Sequence, residues 1–202
     1  KATSPYPLEV GFLEYTPSQT IAKAIQKLEA RGVEKIFLIQ VMVSANSSHT
    51  PEIYEAVQNA TASTPVICIA EGFADAPEMV ESLIQRGKTA CFIDDNLLGD
   101  RREIDYRDAS LVITFHGEPW GDVSGWTALG ESLKQQIEAQ NIFRSVDYAI
   151  NLSQRIAACD RAAGFPVVVP QYVVAGAYVD AGHPEILIKR NAGKLKYDGR
   201  CI

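Results

Sequence analysis

The sequence predicts an α/β protein made of two lobes, each with a parallel sheet flanked by helices. Short apolar segments alternate with amphipathic segments along most of the 202 residues, which is the rhythm of consecutive βαβ units. Several apolar segments, such as Lys35–Val43, are almost continuous, as expected of parallel strands covered on both faces. An approximate internal repeat links the first half of the chain to the second, and therefore favours two lobes over one.

The predicted elements follow from apolar runs and from helical periodicity. In chain order, the predicted strands are Leu8–Glu14, Lys35–Val43, Val66–Ala70, Ala90–Asp94, Leu111–Phe115, Val146–Ile150 and Pro166–Val174. The predicted helices are Ser18–Arg31, Thr50–Gln58, Pro77–Arg86, Ala128–Gln140, Leu152–Ala163 and one that starts near Pro184. In the first helix Ile21, Ile25 and Leu28 share one face, and Gly32 follows its end. Thr50 suits the N-cap of the second helix.

The internal repeat pairs two strand-to-helix junctions and sets the domain prediction. Residues 40–46 align with residues 170–176, and each segment follows a helix closed by glycine and precedes a histidine with Pro-Glu-Ile. A charged, irregular stretch separates the halves. We therefore expect an N-terminal lobe over residues 1–95, a linker over residues 96–108 and a C-terminal lobe over residues 109–202. The basic segment after Lys189 is expected to be ordered only by packing on the body.

Composition argues against several classes of protein. The net charge of -6 and the pI of 5.1 argue against a nucleic-acid partner or an anionic membrane, since either favours a basic face. No segment reaches the roughly 18 consecutive apolar residues that span a bilayer, and the first residues do not read as a signal peptide. The chain opens without Met and soon enters a predicted strand, so we expect a further segment upstream. The four cysteines are Cys68, Cys91, Cys159 and Cys201, and no two of them form a CxxC pair. This spacing favours reduced thiols and therefore a cytoplasmic protein.

All three histidines lie at or just beyond the carboxyl end of a predicted parallel strand. His116 ends the strand LVITF, while His49 and His183 follow the two repeated segments. Ligands of open α/β sheets bind outside these strand ends, so the histidines are candidate functional residues. The glycine after His116 allows a ligand to approach the backbone, and a neutral imidazole can accept a proton or bind a divalent metal. The alternative, that His116 caps a turn by hydrogen bonding, stays open.

Several of these segments resemble those of metal chelatases that act on tetrapyrroles. ITFHGEP resembles the strand-His-Gly-x-Pro segment of ferrochelatases, in which the His takes part in metal insertion. Residues 32–53 resemble the stretch of CbiX-type sirohydrochlorin chelatases in which an apolar strand and small residues precede a catalytic His, here His49. VGFLEYTPSQTIAKAIQKLEARGVEKI upstream and AEGFADAPEMVESLIQR downstream are similar to further segments of that family. The chain therefore resembles the CbiX-type members of the class II chelatase superfamily.

The resemblance implies a fold, a reaction and a set of site residues. It implies two flavodoxin-like lobes and a lyase that inserts Co2+ or Fe2+ into a sirohydrochlorin-like macrocycle, as in the formation of siroheme or cobalamin. The metal is then a substrate, and no organic cofactor is expected. His116 and His49 would act as metal ligands and proton acceptors, with Glu118 as a further catalytic carboxylate.

Aromatic and acidic residues are the expected contacts of the macrocycle. Flat rings stack on aromatic side chains, and the predicted substrate-binding residues are Trp120, Trp126, Tyr178 and Glu14. Carboxylates at strand ends also serve as N-caps, and aromatic residues also fill cores. These structural roles therefore stay open as alternatives for the four residues.

The sequence also departs from the family pattern. The family begins with a strand that ends in His-Gly-Ser, and no such segment precedes Leu8. The position in the second half that corresponds to the catalytic His falls near Tyr178 rather than on His183. The alternative is therefore a catalytically incomplete chelatase-like domain that binds a metal or a tetrapyrrole within a larger protein. The possible partners of such a domain include a second copy of the chain, in a homo-oligomer, and further domains of the same chain.

Overall fold

The computed structural model describes most of the chain as two compact units. The described residues are 4–13, 16–41, 49–60, 63–69, 73–74, 76–92, 97–115, 123–171 and 183–199. The units comprise residues 1–72 and residues 73–202, and each is taken by itself below. The predicted fold class is confirmed, because parallel strands alternate with helices in both units.

The first unit contains two helices and a two-stranded parallel sheet. In chain order its elements are α1 (Ile21–Glu29), β1 (Ile36–Ile39), α2 (His49–Gln58) and β2 (Val66–Ile69). Helix α1 begins after Thr20, whose hydroxyl accepts a hydrogen bond from the Lys23 amide at 3.3 Å. The strands pair in parallel with Ile36 opposite Val66. The core is formed by Ile21 and Ile25 of α1, Ile36 of β1, Ile53 of α2 and Ala60, which follows α2.

The second unit is built on a five-stranded sheet. Its elements are α3 (Pro77–Cys91), β3 (Leu97–Gly99), a 3-10 turn (Tyr106–Asp108), β4 (Ala109–Thr114), α4 (Ser124–Glu138), β5 (Ser145–Ala149), α5 (Leu152–Arg161), β6 (Phe165–Pro170), α6 (His183–Arg190) and β7 (Lys196–Asp198). The strand order is β3-β7-β6-β4-β5, and only the pair of β3 with β7 is antiparallel. All six residues of β4 are buried, so this strand is the centre of the core.

The order of the strands creates a topological switch point between β4 and β6. From β4 the chain crosses through α4 to β5 on one side, whereas from β6 it crosses through α6 to β7 on the other side. The two connections therefore leave neighbouring strand ends in opposite directions. Such a divergence opens a crevice outside the carboxyl ends of the strands, and this crevice is where doubly wound sheets bind ligands.

The structure corrects several predicted elements. Residues 8–13 form no strand but one isolated bridge, between Phe12 and Thr20, because these residues have no neighbouring strand in the described part of the chain. Ala90 and Cys91 belong to the last turn of α3 and not to a strand. A short apolar run on a buried helix face cannot be told from a strand by periodicity alone.

The predicted linker and the predicted tail are also structured. Residues 96–108 include β3 and the 3-10 turn, and the segment after Lys189 includes β7, which is fully buried in the sheet. The compact units divide after residue 72 rather than near residue 95, because α3 packs against β6 and β7 of the second unit.

Candidate active site

The switch point of the second unit is one candidate site, and it is described by itself. Strand β4 ends at Thr114 and leads through Phe115 to residue 116, and β6 ends at Pro170 and leads through Gln171 to residue 172. The amide of Gln171 donates to the carbonyl of Thr114 at 2.8 Å, so the two strand ends remain paired up to the point where their connections diverge. The chain thus leaves β4 and β6 from two strand ends that lie side by side.

Two buried arginines hold the carbonyl groups at these strand ends. Arg155 of α5 donates from Nη2 to the carbonyl of Phe115 at 2.7 Å. Arg86 of α3 donates from Nη1 to the carbonyl of Pro170 at 2.7 Å and from Nε to Asp198 of β7 at 2.8 Å. Hydrogen bonds with a charged donor are about twice as strong as neutral ones, so both strand ends are fixed firmly.

Aromatic side chains pack beside the end of β4. The Phe115 ring lies 5.7 Å from the Trp126 ring and 6.3 Å from the Tyr148 ring, measured between centroids. Trp126 is only 6% exposed, so the structure places it in the core next to the strand end. Its proposed stacking on a macrocycle remains a prediction.

Three buried polar atoms near this edge have no hydrogen-bond partner in the part of the chain that the structure describes. They are Oγ1 of Thr114, Oε1 of Gln171 and Nε1 of Trp126. Buried polar groups are nearly always paired in folded proteins, and exceptions often occur at functional sites. The described edge of the sheet therefore carries buried polar atoms at the switch point.

His49 is the one predicted catalytic residue that lies in the described part of the chain. It begins α2 and its ring Nδ1 lies 3.0 Å from Oε2 of Glu52, one helical turn further on. The imidazole is 46% exposed. When Nδ1 carries the proton and donates to Glu52, the lone pair of the neutral ring is on Nε2, where it can bind a metal or accept a proton.

The start of α2 is tied to the end of β1. The Thr50 hydroxyl donates to Oε1 of Gln40 at 3.3 Å, and Gln40 is buried directly after β1. Thr50 was expected as the N-cap, but it lies within the helix, and its hydroxyl contacts the strand end instead. This contact joins the first turn of α2, which carries His49, to the end of β1.

The other predicted site residues lie outside the described residues. They are His116, Glu118, Trp120, Tyr178 and Glu14. His183 begins α6. The roles of all of these residues remain predictions from the sequence.

Sequence reasoning missed Glu52, Arg86 and Arg155. Glu52 could have been found, because His-x-x-Glu places two side chains on one face of a helix. The arginines gave no comparable signal, since their partners include backbone carbonyls that lie 84 and 40 residues away along the chain.

The cysteines are poor candidates for metal ligands. The three described cysteines are free thiols. Burial raises the pKa of Cys91 to about 11 and that of Cys159 to about 12, so neither is a thiolate near neutral pH. Burial also raises the pKa of Cys68. Within the described ranges, no three His, Cys, Asp or Glu side chains are grouped so that they could hold a metal ion.

The fold is doubly wound α/β, and proteins with this fold typically bind ligands at the switch point of the sheet. Residues 1–90 match the model of the CbiX family. The resemblance to the CbiX-type class II chelatases is thereby confirmed. No curated protein matches the chain by sequence.

Two solved structures share this fold. The sirohydrochlorin chelatase SirB from Bacillus subtilis subspecies spizizenii, in complex with cobalt, has a TM-score of 0.66 and 13% identity, and the match covers 97% of this chain and 74% of SirB. SirB from Bacillus subtilis with Fe3+ has a TM-score of 0.72 and 16% identity, and that match covers 98% and 76%. None of the helices in the described residues is both long and apolar enough to cross a membrane.

Proposed function

We propose that the protein is a metal chelatase, a lyase that inserts Co2+ or Fe2+ into a sirohydrochlorin-like tetrapyrrole. The observation that carries the proposal is the His49–Glu52 pair, which lies inside the segment that matches the CbiX family. The fold shared with two SirB structures, one in complex with cobalt and one with Fe3+, supports it further.

Metal insertion requires that two protons leave the macrocycle. The divalent metal replaces the two pyrrole N–H protons, so charge balances when both protons reach a base. A neutral His49 offers a lone pair at Nε2 when Nδ1 donates to Glu52, and it acts as a metal ligand or as a proton acceptor. Glu52 orients the ring, as carboxylates beside metal-binding histidines do.

The switch point of the second unit is a further candidate site. We place His116 and Glu118 there as the further metal ligand and the further base, because residue 116 directly follows the fixed end of β4. Trp120, Trp126, Tyr178 and Glu14 are the proposed contacts of the macrocycle. The free thiols of Cys68, Cys91 and Cys159 fit a reducing, cytoplasmic compartment.

Anaerobic insertion of Co2+ into sirohydrochlorin, followed by absorbance, tests the proposal. The variants are His49→Ala and His116→Ala, with Gln58→Ala at the exposed end of α2 as the control. Loss of a proton acceptor lowers kcat by about 100- to 10,000-fold, and the control retains wild-type activity. Tetrapyrrole binding without insertion by the wild type would refute the enzyme and leave a binding domain.

A further inference from the structure

A cavity of about 270 Å3 lies at the amino ends of β4 and β5, at the opposite end of β4 from the switch point. Residues near the start of both strands and near the end of α5 line it, and several of them are small: Ser110, Ser145, Ala158, Ala162 and Ala163. Since a water molecule takes up about 30 Å3 in the liquid, the cavity has room for a molecule of several non-hydrogen atoms.

Two serine hydroxyls in this cavity have one hydrogen-bond donor to spare. Ser110 and Ser145 lie opposite each other in the sheet, and their hydroxyl oxygens are 2.8 Å apart. The amide of Gly164 donates to Oγ of Ser110 at 2.7 Å. The contact between the hydroxyls uses one of their two hydrogens, and the other has no protein acceptor in the described part of the chain. Because Ser110 is only 2% exposed, an oxygen that enters the cavity is the acceptor that completes this group.

Two cations line the same cavity. Lys134 of α4 is half-buried and forms no ion pair with any residue that the structure describes. Arg161, the last residue of α5, donates to Oδ2 of Asp147 at 2.7 Å, and its guanidinium has further N–H groups. The other oxygen of Asp147 accepts from the amide of Tyr148 at 2.9 Å, so this carboxylate is satisfied. Lys134 and Arg161 therefore have donors available for a ligand.

Glu138 limits the charge of the ligand that the cavity accepts. It is exposed, lines the cavity and lies one turn after Lys134 on α4. The two cations are balanced by Asp147 and Glu138, so the lining is neutral as a whole and favours a single negative charge over a polyanion. A pair between Lys134 and Glu138 would compete with the ligand only weakly, because such pairs on a helix surface are weak.

We propose that this cavity binds a small oxyanion, a carboxylate or a phosphate group of low charge. The oxyanion accepts hydrogen bonds from the Lys134 ammonium, from the Arg161 guanidinium and from the remaining serine hydroxyl hydrogen. All of these groups lie in the second unit, at the end of β4 away from the switch point. The site is therefore independent of the proposed function, and its failure would leave that function unaffected.

Titration with sodium acetate and with sodium phosphate tests the site, each salt replacing sodium chloride at constant ionic strength. The reporter is the Gly164 amide signal of the 15N-labelled protein, since this amide is bonded to Ser110 in the cavity. A saturable shift is expected, with a Kd in the millimolar range because such small ligands make few contacts. Tighter binding of acetate would identify a carboxylate ligand, and tighter binding of phosphate a phosphate group. If neither salt gives a saturable shift, the proposal is wrong.

Charge variants test the roles of Lys134 and Glu138. Lys134→Met should raise the Kd about tenfold or more, because a charged donor is lost, whereas Glu138→Gln should lower it about twofold, because a like charge is removed. Lys189→Met, at an exposed position of α6 in the same unit, is the control and should leave the Kd unchanged. Equal Kd values for Lys134→Met and the control would overturn the proposal.

A variant that fills the cavity separates binding inside it from binding at the surface. Ala162→Leu adds apolar atoms to the lining and changes no charge, so it should abolish the saturable shift. Ala128→Leu, at an exposed position of α4, is the control and should bind as the wild type does. Thermal melts first establish that each variant is folded. Unchanged binding by a folded Ala162→Leu variant would place the ion at the surface and refute the site.

Discussion

The pairing of His49 with Glu52 is a contact between two exposed side chains on one helix. Surface pairs of this kind add little to stability, because water screens the interaction between the two side chains. The value that we propose for the pair is therefore orientation: with the proton on Nδ1, the ring donates to Glu52 and its direction is set by that contact.

Glu52→Gln should lower the rate of metal insertion, because an amide holds the imidazole less firmly than a carboxylate does. Residues that orient metal-binding histidines typically contribute about 10- to 100-fold, and the exposure of this pair favours the lower end. The measurement is kcat for Co2+ insertion together with the affinity for Co2+. Glu55→Gln, an exposed carboxylate on the same helix, is the control. Equal rates for the two variants would contradict an orienting role for Glu52.

The buried thiols predict a loss of stability at alkaline pH. Cys91 and Cys159 have raised pKa values of about 11 and about 12 in the folded chain, against an ordinary value of 9.0. Below pH 9 the thiols are neutral in both states and contribute no difference. Above it the unfolded chain ionises first, which favours unfolding and lowers stability until the pH reaches the folded values.

The test is urea unfolding across this alkaline range for the wild type and for Cys159→Ala. The cavity left by the substitution costs stability at every pH, whereas the pH-dependent part disappears with the thiol. Stability should therefore fall less steeply with pH in the variant. Parallel curves for the two proteins would show that Cys159 ionises as easily in the folded chain as in the unfolded one.

At the scale of elements, α4 approaches β5 closely at one glycine. A Cβ at Gly130 would lie 2.3 Å from Cδ2 of Tyr148, well inside van der Waals contact. Tyr148 cannot shift freely, because its hydroxyl donates to Glu131 at 2.9 Å and its ring packs on Phe115. Gly130 is thus required by packing rather than by backbone conformation.

Gly130→Ala should therefore destabilise the protein although alanine is the better helix former. The gain in helix propensity is at most about 1 kcal/mol, while overpacking a core costs about 1–3 kcal/mol. Chemical denaturation should show a net loss, and Gln135→Ala at an exposed position of α4 should be neutral or slightly stabilising. A Gly130→Ala variant as stable as the wild type would mean that Tyr148 gives way easily.

The elements that the sequence predicts well are those whose signal is local. Helix α5 and strand β5 follow from periodicity and apolar runs, and their bounds differ from the prediction by one or two residues. Strand β7 was missed because Lys196 and Asp198 read as exposed residues. They are buried only because Lys196 donates to the carbonyl of Cys91 at 3.1 Å and Asp198 accepts from Arg86, both far away along the chain.

The same distinction applies to the candidate site. His49 could be predicted because its type and its place after a strand are visible in the sequence. Arg155 could not, because a buried arginine on an amphipathic helix looks like a solvent-facing one until its distant backbone partner is known. Residues that orient other residues are thus the part of a site that one sequence shows least.

At the scale of the whole molecule, the two units differ in the strength of their cores. In the first unit, both helices contribute to one apolar cluster, and the two-stranded sheet leaves Phe37 61% exposed and Ile39 exposed beside it. In the second, β4 is buried along its full length between β5 and β6. Since apolar burial is the main favourable term in folding, the second unit should be the more stable.

Native-state hydrogen exchange should reveal this difference strand by strand. Amides of β1 are expected to exchange through local opening at a lower free energy than amides of β4, which require unfolding of the five-stranded sheet. Added urea should lower the opening free energy of β1 with a smaller slope, because less surface is exposed when the first unit opens alone. The matched comparison is β5, which pairs with β4 and should exchange with it. If β1 and β4 instead share one opening free energy and one urea slope, the chain unfolds as a single cooperative body, and the division after residue 72 is a feature of packing alone.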